Sequence, residues 1–145
     1  MGRGYRTNAA AHEQLAELLR GDGVTVARAD LPHHKGAAHV MHLMSVVSPV
    51  AEDLAVVFEP LAPVPLLEML AERGYRTVAC DPDEFDSQGC NVLTVRPGLA
   101  VMTDESPVTR RSLEAVGVEV HTYRATEINK GDGGPTCLTR PLLRA

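Results

Sequence analysis

The chain has no tryptophan, and tyrosine and phenylalanine together make up only 3% of its 145 residues. Its core must therefore be aliphatic. No run of about 18 apolar residues occurs, so the sequence offers no membrane-spanning helix. Met1 to Arg6 lacks the apolar centre of a secretory signal. Basic residues are not in excess: the formal charge is −5 at pH 7. That leaves no electrostatic footprint for nucleic acid. Cysteine is scarce, with only Cys80, Cys90 and Cys137, widely spaced and odd in number. Such usage excludes a disulfide framework and predicts reduced thiols in a cytoplasm. Without a CxxC pair, a structural zinc site lacks its usual ligand spacing.

What is present suits a globular protein. The apolar fraction is 44%, and the length fits a single domain over residues 1–145. Thr7 or Asn8 is placed to cap a helix from Ala9 to Arg20, with Leu15, Leu18 and Leu19 at helical spacing. Val24-Thr25-Val26 alternates like a strand, and Asp30 to Ala38 reads as a loop. His39 to Val47 is mostly apolar and predicts a buried strand ended by Ser48-Pro49. A turn from Pro49 to Asp53 then leads to a strand from Asp53 to Phe58. Pro65 to Arg73 predicts a helix with proline in its first turn, where a missing N–H costs little. Tyr75 to Ala79 reads as a strand, and Asp81 to Gly89 as an acidic, solvated loop containing Asp83, Glu84 and Asp86. Cys90 to Val95 and Leu99 to Thr103 make a hairpin around Pro97-Gly98. A helix from Pro107 to Val116, a strand at Val118 to Val120 and a short strand around Cys137 complete the chain.

One unit recurs. Leu19 to Val26, Leu70 to Val78 and Leu113 to Val120 each read as helix, glycine, short strand. Such a period predicts repeated modules that bury a shared core. Each module mixes strands with one helix, so the expected class is α/β, with ββαβ units arrayed radially. Hairpins ahead of the helices argue against a doubly wound sheet.

Chemistry concentrates between Glu127 and Thr139, where Gly131, Gly133, Gly134 and Pro135 crowd Cys137. Glycines allow close backbone approach and positive φ. Cys137 is there either a reactive thiol facing a cleft or a buried small apolar residue. His42 is either a proton carrier or a core histidine. A metal reading would draw on His33, His34, His39 and His42, but on a strand His39 and His42 point to opposite faces. Asn91 reads as a side chain that bonds loop backbone, and Cys80 and Cys90 as packing residues.

Four segments carry a resemblance: Gly4-Tyr5-Arg6-Thr7-Asn8, His42-Leu43-Met44-Ser45, Gly89-Cys90-Asn91-Val92-Leu93, and Gly133-Gly134-Pro135-Thr136-Cys137-Leu138-Thr139. In their order and spacing the chain resembles the guanidino-group-modifying superfamily of arginine deiminases, dimethylarginine dimethylaminohydrolases and amidinotransferases. Met44 points to the dimethylarginine branch, because arginine deiminases typically carry Asp there. The resemblance implies a pentein-like α/β propeller of five ββαβ modules. About three are counted here, so the chain looks like the C-terminal half of such a fold.

The implied activity is cysteine-dependent hydrolysis of a guanidino compound, a methylated arginine or a related molecule. Cys137 is the implied nucleophile, passing through a thiouronium-type intermediate, and His42 the general acid and base. Arg6 would grip a substrate carboxylate, and Asp132 and the Gly131 carbonyl would contact the substrate. No metal or organic cofactor is required. Amidino transfer and a non-catalytic assembly module are the alternatives. In the resemblance the acids that hold the cation come largely from the other half. The expectation is therefore self-association, or a partner that supplies the missing modules, and little activity from the chain alone.

Overall fold

The computed structural model describes residues 1–142. The N-terminal part opens with β1 (Gly2–Arg3) and α1 (Ala9–Leu19). Asn8 caps α1, its side-chain oxygen accepting from the Ala11 N–H at 3.0 Å. That satisfies one of the helix's free donors. β2 (Ala29–Asp30) pairs parallel with β1. Val24 to Val26 is not a strand: no neighbouring strand pairs with it, and Val24 is exposed. The ladder to β1 begins only at Ala29.

Two complete ββαβ units follow. In the first, β3 (Val47–Ala51) and β4 (Leu54–Val57) are antiparallel. α2 (Val64–Glu72) then returns the chain so that β5 (Arg76–Ala79) lies parallel to β4. In the second, β6 (Leu93–Arg96) and β7 (Leu99–Thr103) are antiparallel. α3 (Pro107–Ala115) brings β8 (Glu119–Tyr123) parallel to β7. The expected recurrence is visible in space for Leu70 to Val78 and Leu113 to Val120, whereas Leu19 to Val26 has its helix and glycine but no strand. The glycines that follow the helices, Gly23, Gly74 and Gly117, have φ of 69°, 73° and 92°, the left-handed turn that ends a helix without Cβ strain.

The segment from His39 to Val46 differs from the expected strand. It is irregular up to a short 3-10 turn at Leu43–Ser45, and pairing starts only at Val47. Pro49 lies inside β3, not in the following turn, at a register irregularity between Pro49 and Ala51. A bulge tolerates a residue that cannot donate to the ladder. The segment around Cys137 is a turn over residues 135–138 and not a strand. Cys137 N bonds Gly134 O at 3.1 Å and Leu138 N bonds Pro135 O.

β4 sits at the centre of the packing. Leu54 and Val56 face a cluster that includes Phe58, Val92, Met102 and Leu113. Ala55 and Val57 face a second cluster with Val46, Leu66 and Leu70. A strand covered on both faces reads as a continuous apolar run, which Leu54-Ala55-Val56-Val57 is. No helix among the described residues is long and apolar enough to cross a membrane.

Glu84 is buried, in contrast to the solvated loop predicted for it. Its carboxylate accepts from Val108 N at 2.6 Å and Thr109 N at 2.8 Å. It therefore caps α3 from 24 residues upstream, where a negative group also meets the favourable end of the helix dipole. Ser106, at the helix's own cap position, makes no capping bond and turns its hydroxyl to Ser87 instead.

Candidate active site

Three irregular connections meet beside the two units: residues 34–45 ahead of β3, residues 85–91 ahead of β6, and residues 131–137 near the end. They line a cavity of about 670 Å³. Arg6, His42, Asn91, Gly131, Asp132 and Cys137 all face it. All five residues implied as site residues by sequence thus line one cavity, from positions as far apart as 6 and 137.

Cys137 is exposed, while Cys80 and Cys90 are buried. The Cys137 turn is held by Asn91, which is buried. Asn91 Oδ1 accepts from Thr136 N at 3.1 Å and from the Thr136 hydroxyl at 2.5 Å, and its Nδ2 donates to Cys137 Sγ at 3.3 Å. The expectation that Asn91 bonds loop backbone holds; its contact with the sulfur went unforeseen. Gly134 is what permits this approach, since a Cβ there would lie 2.4 Å from Asn91 Cγ. The left-handed residue of the loop is Asp132, with φ of 54°, rather than a glycine. Asp is among the few side chains that tolerate that conformation.

His42 has extended backbone just ahead of the 3-10 turn, so its ring is presented by a loop. The argument that a strand separates His39 from His42 therefore falls; both face the cavity. Arg6 Nη2 lies 3.1 Å from His42 Nε2. Guanidinium can only donate, so Nε2 accepts and the neutral ring carries its proton on Nδ1.

The chain resembles known proteins at both levels. The family model described as arginine deiminase matches residues 62–144. The chain belongs to the arginine deiminase family. It is 28% identical over 174 aligned residues to the arginine deiminase of Rhodococcus erythropolis, covering 99% of this chain and 42% of that protein. Among solved structures it resembles SxtG, an amidinotransferase of saxitoxin biosynthesis from Microseira wollei. The TM-score is 0.82 at 16% identity, over 99% of this chain and 43% of that one. It also resembles the DDAH of Pseudomonas aeruginosa, solved as a mutant with citrulline. There the TM-score is 0.72 at 20% identity, over 94% of this chain and 48% of that one. The mixed α/β fold is thus that of the pentein structures, within the guanidino-modifying superfamily. The chain spans less than half the length of these relatives. The family model and the Rhodococcus relative are arginine deiminases; the dimethylarginine branch, to which Met44 pointed, enters through a structure.

Within this family fold, three further residues stand at the cavity or behind it. Lys35 and Asp86 both face the cavity and pair at 2.7 Å, with Asp86 exposed as expected of its loop. That pair ties the 34–45 connection to the 85–91 connection. Tyr123, at the end of β8, has a buried hydroxyl with no hydrogen-bond partner among the described residues. Burial, followed by the neighbouring charges of Cys137, Asp104 and Glu105, holds the phenol above its ordinary value. None of these carried a local sequence signal, because each acquires its role through a residue far away in the chain.

Proposed function

We propose that this chain carries the nucleophile and proton carrier of a cysteine-dependent hydrolase of guanidino compounds. The observation that supports the reading best is the shared cavity, where an exposed Cys137 held by a buried amide faces the same space as His42 and Arg6. The Cys137 thiol passes its proton to His42 Nε2, and the resulting thiolate attacks the guanidinium carbon, forming a C–S bond. The departing amine or ammonia takes a proton from His42 as the C–N bond breaks. His42 then removes a proton from water, which attacks the thiouronium-type intermediate. The C–S bond breaks, leaving a ureido product and the free thiol.

Arg6 holds a substrate carboxylate through paired N–H donors. Arg6 also lies against His42 Nε2, so a carboxylate that pairs with Arg6 leaves Nε2 open to proton transfer. Gly131 and Asp132 contact the substrate's cationic groups. Residues 1–145 act as one domain, part of a propeller of five ββαβ modules. A second copy or a partner supplies the carboxylates that hold the guanidinium, because desolvating an unpaired cation is costly.

One observation bears on the substrate. Met44 faces the cavity where arginine deiminases typically carry Asp, which suits a methylated arginine as the substrate in place of arginine. The experiment is to incubate the chain, alone and with an upstream-extended form if the reading frame continues, with arginine and methylarginines. Glycine is added in parallel as an amidino acceptor. Ureido product that disappears in Cys137→Ala is the expected result. No product under any condition, or product that survives Cys137→Ala, overturns the hydrolase reading.

A further inference from the structure

We infer that Asn91 is a positioning residue that aims the Cys137 sulfur and supports negative charge on it. The inference rests on reading Cys137 as the attacking group. Asn91 is 2% exposed, and a buried amide must have its polar atoms satisfied. Its orientation is decided by its partners. The Thr136 N–H can only donate, so the amide oxygen faces Thr136 and the amide N–H faces Cys137 Sγ. The bonds go to adjacent residues of one turn, which fixes both the backbone of that turn and the direction of its sulfur.

Asn91 is itself held from β3. The buried Ser48 hydroxyl donates to Cys90 O at 2.7 Å and accepts from Val92 N at 3.2 Å. These two contacts clamp the residues on either side of Asn91. Gly134 completes the arrangement by leaving no Cβ to strike the amide. A donor aimed at sulfur strengthens when the sulfur is ionised, since charge-assisted hydrogen bonds are the stronger kind. Thiolate, not thiol, is the reacting form.

The test is the rate at which iodoacetamide alkylates Cys137, followed by peptide mass spectrometry across pH 6 to 10. Asn91→Asp keeps an acceptor for Thr136 but replaces the N–H that faces sulfur with a carboxylate oxygen. Thr136→Val removes one anchoring bond and leaves that N–H in place. Asn91→Asp should slow alkylation about tenfold at neutral pH, with the deficit closing as pH rises, the pattern of a lost thiolate donor. Thr136→Val should stay within about twofold of the unaltered chain, because the donor to the thiolate remains. If Asn91→Asp does not fold, Asn91→Ala should give the same pH-dependent deficit. Asn91 variants that alkylate at the unaltered rate throughout, or a Thr136→Val deficit equal to theirs, overturn the inference. Alkylation needs no substrate. An unchanged rate would remove the role of Asn91 and leave turnover by Cys137 untouched, whereas absent turnover would leave the alkylation contrast standing.

Discussion

The two ββαβ units share a plan and differ in how they are tied to the rest of the molecule. Each has a hairpin with a register irregularity in its first strand, a helix with proline in its first turn, and a glycine that ends the helix. The first unit is central: every residue of β4 is buried, and both clusters of the core use it. β7, its counterpart, alternates buried and half-buried positions before Thr103. α2 starts without any side-chain cap. α3 starts on the buried Glu84, which belongs to the connection between the units. That connection also delivers Asn91 to Cys137 and Asp86 to Lys35. Repetition therefore supplies the frame, and the departures from repetition carry the candidate site.

This contrast can be broken at three levels. The largest effect should come from the helix leucines that face the core. Leu113→Ala in α3 and Leu70→Ala in α2 each remove a buried side chain, and each should lower stability by about 2–5 kcal/mol. Urea unfolding of both variants measures it. A Leu113→Ala cost below about 1 kcal/mol would mean the second unit is loosely packed.

A smaller effect separates the two helices. Glu84→Ala leaves Val108 and Thr109 N–H groups without their acceptor and should cost about 2 kcal/mol. Pro63→Ala at the start of α2 should change stability little, because no side-chain cap is lost there. Equal costs for the two would show that the cap from outside the unit contributes nothing.

The smallest effect concerns the ion pairs at the ends of the units. Asp53 pairs with Arg76 in the first, and Arg96 with Glu119 in the second. The hydrogen bond from Arg76 holds the Asp53 carboxyl below its ordinary value. A depressed carboxyl adds stability above its unfolded value and loses it as pH falls through the native one. Both partners are exposed, so the contribution is slight and screened by salt. Asp53→Asn should therefore match the unaltered chain in acid and fall barely below it at neutral pH in low salt. A large gap that survives high salt would show that the pair is not merely a surface contact.

How much of this was legible depends on how local the cause is. Asn8 before α1, Pro65 and Pro107 in the first turns, Gly74 and Gly117 after the helices, and the apolar run at Leu54–Val57 act within a few residues. The helices, the hairpins and two of the three recurring units could thus be read from the sequence, whereas the residues that share the cavity were marked by the family resemblance of their segments. His39 to Val46 failed as a strand because apolar residues that pack beneath a loop look like a strand in a window of eight. Val24 to Val26 failed because alternation does not create a neighbour to pair with. Only the tertiary structure decided that Glu84 caps a helix 24 residues on, that Ser48 clamps the flanks of Asn91, and that Asn91 reaches a sulfur 46 residues away. The sequence determined which segments could be helix, strand or turn, through propensity, capping and periodicity. Which buried polar groups satisfy one another was settled by packing, because a hydrogen bond between distant residues exists only once both have been brought out of water to the same place.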